Sequence, residues 1–354
     1  MSMKKRVGII GAAVGLAAAG IAAGIAVERA VVRRSKRGVG DPYVHEPFDR
    51  LPFDEALTVT TGDGTDIYVE VVEPAVDAAA APVVVFVHGF CLDMGTFHFQ
   101  RKLLARRGHN RLVLYDQPGH GRSGKLEGGE YELPALGETL LDVLQETVPG
   151  GPIVLVGHSM GGMAIMAFAE LHPEFFDDRV VGTVLMATSG GPLEESKFGL
   201  SALIGRVGGP LLPLVNNATR VTGPAIERAR TAASDLAWLL TRRYGFGGSH
   251  PSPSLVTYVE TMNSRTSVDT VARYLRTLYT HARYPALAAL AHTPTLVLVG
   301  EKDLITPVAL SEEILRHVPD AEFVKVPDSG HVVMLEHADV VDEELLTFLE
   351  KIEA

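Results

Sequence analysis

The run Gly157-His158-Ser159-Met160-Gly161 places a serine hydroxyl where nucleophilic chemistry could be done. It follows the β-branched run Ile153-Val154-Leu155-Val156 and precedes a helix-forming stretch, Met160 to Leu171. A G-x-S-x-G pattern between strand and helix makes a sharp turn, sets the serine at strained backbone angles and lifts its oxygen above the strand end. The helix that follows aims its first free N–H groups at the same spot. In a chain with 36 glycines the bare pattern also arises by chance, so flanks and partners must carry the argument. The plain alternative is a glycine-rich turn with a solvated serine.

A serine alone is a poor nucleophile; it needs a base, and the base needs a group to orient it. Of 13 histidines, His331 in Asp328-Ser329-Gly330-His331 is best placed, directly after the last strand expected in the chain. His337 is the runner-up, nearer the closing helix. The acid is expected at Asp303, in Gly300-Glu301-Lys302-Asp303 after the run Thr295–Val299. Asp303 could instead cap a helix ahead of Pro307, and Glu194 and Glu195 are remote alternatives. The oxyanion of a tetrahedral intermediate needs two fixed donors. Met160 N–H at the helix start is one; Phe90 N–H, in His88-Gly89-Phe90-Cys91, is the other. His88 reads as support for that loop. Cys91, the only cysteine, has no evident base and reads as packing.

Positioning these groups requires alternating strands and helices. A hairpin is expected over Ala56–Thr61 and Thr65–Glu73, then strands at Val83–Val87, Arg111–Tyr115, Ile153–Val156, Val180–Met186, Thr295–Val299 and Glu322–Val326. Helices are expected near Thr96–Arg107, Leu133–Thr147, Met160–Leu171, Val308–His317 and Val340–Ile352. Such alternation predicts an α/β fold with a doubly wound, mostly parallel sheet. Between Ser189 and Leu290 the alternation stops, and the pattern is mostly helical with breaks at Gly208-Gly209-Pro210 and Gly245–Pro253. This reads as a helical cap over the C-terminal edge of the sheet.

The pieces HGF at His88, DQPGHGRSG from Asp116, GHSMGG from Gly157, GEKDLITP from Gly300 and SGH from Ser329 resemble the α/β-hydrolase fold superfamily over roughly residues 54–354. With the long cap the chain is similar to bacterial serine esterase/lipase-like members. The order Ser159, Asp303, His331 is the one that architecture uses. The resemblance implies a serine hydrolase that cleaves a carboxylic ester through an acyl-enzyme on Ser159. Dehalogenases and epoxide hydrolases of the fold carry an aspartate at the Ser159 position and are disfavoured. A cofactor-free haloperoxidase-like enzyme or a carbon–carbon bond hydrolase using the same triad is the alternative, and a non-catalytic membrane-anchored binding protein a remote one.

Composition sets outer limits. Across 354 residues, 46 % are hydrophobic and 21 % charged, which suits a folded chain with a large core. One cysteine excludes an intrachain disulfide and a cysteine-rich metal site. With no H-E-x-x-H motif or similar cluster, no metal or organic cofactor is expected. The net charge of −11 divides into +7 on residues 1–40 and −18 on the remainder. An acidic body argues against a nucleic-acid partner.

Val7–Val27 has no charged or strongly polar side chain and is long enough, at 21 residues, to span a bilayer. The expected organisation is therefore a membrane anchor at 1–28, a basic and proline-bearing tether at 29–53, hydrolase core at 54–188, cap at 189–290 and core again at 291–354. Val7-Gly-Ile-Ile-Gly11 is not a dinucleotide fingerprint, because Ala13 and Leu16 occupy its other glycine positions. Three basic residues before the span and five after it favour a cytoplasmic body, with membrane lipid as partner. Leu200, Leu203, Ile204, Val207, Leu211, Leu212, Leu214 and Val215 could line an acyl pocket or form the cap's own core. Attachment near lipid makes a hydrophobic acyl ester the expected small-molecule substrate.

Overall fold

In the computed structural model, residues 40–48, 50–76, 81–126, 131–193 and 235–354 are described. The strands among them are β1 (Glu55–Thr60), β2 (Asp66–Val72), β3 (Val83–Val87), β4 (Leu112–Tyr115), β5 (Ile153–His158), β6 (Val180–Met186), β7 (Thr295–Gly300) and β8 (Glu322–Val326). They form one sheet in the order β1-β2-β4-β3-β5-β6-β7-β8. β1 pairs antiparallel with β2, and β2 with β4; every pairing from β4 to β8 is parallel. The strand positions expected from the sequence hold to within one or two residues.

The central strands are apolar runs because both faces are covered. On β3 the pleat sends Val85 and Val87 into one buried cluster and Val84 and Phe86 into the other. Four helices, α1 (His98–Arg107), α2 (Leu133–Thr147), α3 (Met160–Leu171) and α9 (Ala338–Glu353), contribute to these layers. Leu104 of α1 and Leu345 of α9 pack on the Phe86 side; Leu140 of α2 and Ile165 of α3 pack on the Val85 side. Between α3 and α9 come α4 (Glu174–Asp178), α5 (Pro253–Arg265), α6 (Val268–Thr280), α7 (Val308–His317) and α8 (Val333–Glu336). Of the cap expected at 189–290, helical residues 235–245, α5, α6 and a 3-10 turn at Tyr284–Leu290 are described. The apolar residues from Leu200 to Val215, the acids Glu194 and Glu195 and the break at Gly208-Gly209-Pro210 lie outside the described residues.

The N-terminal expectation is corrected. Among the described residues no helix is long and apolar enough to cross a membrane. The anchor expected at Val7–Val27 lies outside the described residues. The membrane location, and with it the cytoplasmic placement of the body, does not stand. Nor is the described part of the expected tether a free linker. The Asp41 carboxylate accepts from Ser252 Oγ at 2.6 Å, Ser254 Oγ at 2.7 Å and Ser254 N–H at 3.1 Å, at the start of α5. Glu46 bonds His98 Nε2 at 2.8 Å and pairs with Lys102, both on α1. Phe48 stacks on Tyr258 of α5 with centroids 4.3 Å apart. These residues strap the cap helix to the core. Reading them as spacer missed that their acids and rings have partners distant in sequence.

Candidate active site

Ser159, Asp303 and His331 follow β5, β7 and β8, parallel strands whose C-terminal ends share one edge of the sheet. Ser159 sits at φ 52° and ψ −118°, a conformation a side chain tolerates only under constraint. The constraint is a set of backbone bonds. Its N–H donates to Met186 O at 2.9 Å, and its carbonyl accepts from Gly162 N, Met163 N and Thr188 Oγ1. Gly161 lets α3 approach the sheet: a Cβ there would stand 1.9 Å from the Val87 carbonyl oxygen.

The three side chains form a continuous relay. His331 Nε2 lies 3.0 Å from Ser159 Oγ, and His331 Nδ1 lies 2.8 Å from Asp303 Oδ2. All three residues are buried, yet Ser159 keeps 8 % of its surface open. Asp303 Oδ1 accepts from Ile305 N–H at 2.8 Å and Thr306 N–H at 2.9 Å, while Thr306 Oγ1 donates to Oδ2 at 2.7 Å. These bonds fix the carboxylate in a turn ahead of α7, whose N-cap is Pro307. Asp303 therefore bonds the turn and the histidine rather than capping the helix. His337 instead is the N-cap residue of α9.

The loop carrying Phe90 packs against the serine turn: a Cβ on Gly89 would lie 3.0 Å from Ser159 Cβ. Among the described residues neither Phe90 N–H nor Met160 N–H has a hydrogen-bond partner within the protein. Two backbone donors without a partner among the described residues thus sit on the two segments next to Ser159, the Phe90 loop and the start of α3. His88 supports this loop. Its Nδ1–H donates to Gly89 O at 2.8 Å and its Nε2 accepts from Gln117 N–H at 2.8 Å, which leaves the neutral ring. The Phe90 ring meets His120 and, from α6 of the cap, Tyr274. Burial pushes the Cys91 thiol up to about 12, so it stays protonated at neutral pH. The residue as a whole is only half-buried, but the sulfur environment governs the thiol.

Some supporting residues carried no signal of their own in the sequence. His158, beside the serine, donates from Nε2 to the His331 carbonyl at 3.0 Å, tying the base's loop to the nucleophile's strand. Thr306 was inside the GEKDLITP run without an assigned role. Asp116, in DQPGHGRSG, accepts from Met94 N–H and Arg122 N–H and so ties the loop after β4 to the segment that follows the Phe90 loop. Among the described residues no group of His, Cys, Asp or Glu is arranged to hold a metal ion.

The buried titratable groups give a signed pH dependence. Burial lowers His88 to about 3, and His120 and His281 to about 4. His158 is lowered well below its usual range by burial and by His331. Between these values and about 6.5 the unfolded chain holds protons the folded chain does not, so stability rises with pH. Asp116 acts in the opposite sense: burial, then Asp93, raises it to about 7. Its contribution is present below the unfolded value near 3.8 and is lost as pH rises through 7. Asp342, raised by burial to about 6, acts in the same sense as Asp116, but from pH 4.5 to 6 four histidines outweigh two aspartates and the net slope keeps the histidines' sign. Urea midpoints across that range are expected to climb with pH, and midpoints that stay flat or fall would contradict this balance.

Comparison with known proteins identifies the family of the fold. The model of the alpha/beta hydrolase fold family matches residues 82–338, and the chain belongs to that family. It is 30 % identical over 276 residues to a dihydrolipoyllysine-residue acetyltransferase component of the acetoin cleaving system of Pseudomonas putida, covering 75 % of this chain and 63 % of that protein. It is 27 % identical to an sn-1-specific diacylglycerol lipase of Mus musculus, over 74 % of this chain and 78 % of the lipase. Among solved structures, a thermophilic esterase from Thermogutta terrifontis superposes with a TM-score of 0.64 at 25 % identity, covering 85 % of this chain and all of the esterase.

Proposed function

We propose that the chain hydrolyses carboxylic esters through an acyl-enzyme on Ser159. The observation that carries this reading is the relay Ser159 Oγ, His331 Nε2 and Nδ1, Asp303 Oδ2, with spacings of 3.0 and 2.8 Å. His331 accepts the Ser159 proton as the oxygen attacks the acyl carbon, and then returns it to the departing alkoxide. Asp303 holds Nδ1 protonated, so that Nε2 is the basic nitrogen, and offsets the imidazolium charge. Phe90 N–H and Met160 N–H receive the developing oxyanion. Water then enters where the alcohol left, His331 takes its proton as its oxygen adds to the acyl carbon, and the acyl–Oγ bond breaks as His331 returns that proton to Ser159 Oγ, releasing the acid.

The substrate is proposed to be an ester with a hydrophobic acyl group, in keeping with the likeness to a diacylglycerol lipase. Support from proximity to a membrane has fallen with the anchor. The test is labelling with a fluorophosphonate, followed by peptide mass mapping and an ester panel of rising acyl length. A single adduct on Ser159 and faster turnover of medium acyl chains than of acetate are expected. An adduct elsewhere would sink the nucleophile assignment, and a preference for acetyl esters would sink the acyl class. Peroxide-dependent halogenation or carbon–carbon cleavage without ester turnover would move the chain to the alternative chemistries.

A further inference from the structure

Glu336 ends the short helix α8, five residues after His331, and among the described residues no ion pair joins its carboxylate to a cation, although its charge reaches Lys302. Its bonded partners among the described residues are neutral donors from two separate segments. Oε1 accepts from Gly248 N–H at 2.7 Å and Gly247 N–H at 3.0 Å. Oε2 accepts from Gly330 N–H at 2.7 Å, Gly247 N–H at 2.9 Å and, more weakly, Ser329 Oγ at 3.5 Å. Gly247 and Gly248 lie between helical residues 235–245 and α5, at the base of the cap. Ser329 and Gly330 are the residues just before His331.

The two segments also meet directly. Val332 N–H donates to Gly245 O at 3.0 Å. A Cβ on Gly247 would stand 2.4 Å from the Ser329 carbonyl carbon and 2.6 Å from Gly330 N, so no side chain fits between them. On its other side the His331 loop is gripped by the end of β7: Lys302 N–H donates to Ser329 O at 2.8 Å. Asp328, at φ 56°, turns the loop through a strained conformation that these contacts must maintain. Charge-assisted bonds from a carboxylate to several N–H groups are about twice as strong as neutral ones, and one carboxylate here serves both segments.

We propose that Glu336 is a positioning residue that joins the cap stem Gly245–Gly248 to the His331 loop, so that the docked cap fixes where the general base stands. This rests on the reading of His331 as that base. The cap stem cannot leave without breaking the Glu336 bonds or drawing Ser329 and Gly330 with it. Since misplacing a catalytic group by about 1 Å can cost about 100-fold, partial loosening shows first in the chemical step. Glu336→Gln keeps the shape but turns one acceptor oxygen into an NH2 that must face N–H donors. Glu336→Asp keeps charge and both acceptors but is one methylene too short to serve both segments.

The experiment measures the rate constant for fluorophosphonate labelling of Ser159, with kcat and KM per titrated active site on one ester. Glu336→Gln is expected to slow labelling and kcat by about tenfold or more with KM changed less than about twofold; Glu336→Asp falls between it and wild type. Gly247→Ala, acting from the cap side, is expected to give the same pattern. The double variant Gly247→Ala/Glu336→Gln is expected to be no slower than the slower single, because both break one junction. A merely structural role would lower the titratable fraction and Tm while leaving per-site rates intact. Wild-type per-site rates in Glu336→Gln overturn the proposal, as does a double variant that multiplies the two losses. If Glu336→Gln does not fold, wild-type per-site rates in Glu336→Asp and Gly247→Ala overturn it. Wild-type enzyme unlabelled at Ser159 would sink the hydrolytic reading itself, and the proposal with it, before any Glu336 variant is compared.

Discussion

Ser159→Ala is expected to lower kcat on an activated ester by about 10^6-fold, leaving about 10^3-fold over water from the oxyanion donors and binding. The substitution removes one atom. Ser159 Oγ contacts His331 Nε2 at 3.0 Å, whereas the bonds that hold the strained turn run through the Ser159 backbone to Met186, Gly162, Met163 and Thr188. Alanine keeps the Cβ and can use all of those backbone bonds. Stability is therefore expected to change by less than about 1 kcal/mol. Tm and the far-ultraviolet circular dichroism spectrum report on the fold, and pre-steady-state ester cleavage reports on the chemistry. A variant that kept a hundredth of wild-type kcat would show that another group attacks. A variant that lost activity together with its fold would leave the labelling adduct to decide, since only a nucleophilic Ser159 acquires the phosphonate.

Ser159 was legible from the sequence because its signal is local: strand, tight turn and helix are consecutive, and each imposes its own residue types. Asp303 and His331 were legible for a related reason. Each directly follows a short apolar run, and parallel strands deliver such loops to one edge whatever the distance along the chain. What the sequence did not disclose are contacts that periodicity does not encode. His158 bonds the carbonyl of a residue 173 positions away, and Glu336 reaches Gly247 across 89. Both partners are backbone groups, so no complementary side chain marks the other end, and the glycine required at 247 reads in the sequence as an ordinary break. The strap at Asp41–Phe48 was misread for the opposite reason. A short segment with two prolines and two acids looks like linker until Ser252, His98 and Tyr258 are placed opposite it.

Asp303→Asn is the most discriminating change within the relay, and it is expected to lower kcat by about 10^4-fold. Asparagine can keep its amide oxygen at the Oδ1 position, where Ile305 N–H and Thr306 N–H donate. Its NH2 then occupies the Oδ2 position, 2.8 Å from His331 Nδ1 and 2.7 Å from Thr306 Oγ1. An NH2 facing Nδ1 requires that nitrogen to be an acceptor, so the ring proton moves to Nε2. Nε2–H then points at Ser159 Oγ and cannot take its proton. The Thr306 hydroxyl can rotate to accept from the new NH2, so the turn survives and the loss falls on the tautomer rather than on the fold. The two effects separate by pH: hydroxide can take the Ser159 proton in place of His331, so the variant's rate is expected to keep rising with alkali where wild type has reached a plateau. Fluorophosphonate labelling should slow in the same proportion as ester cleavage, since both need Ser159 activated. Wild-type kcat in Asp303→Asn would remove the aspartate from the mechanism. A loss rescued by neither alkali nor refolding would mean that Asp303 mainly holds the turn through Ile305 and Thr306.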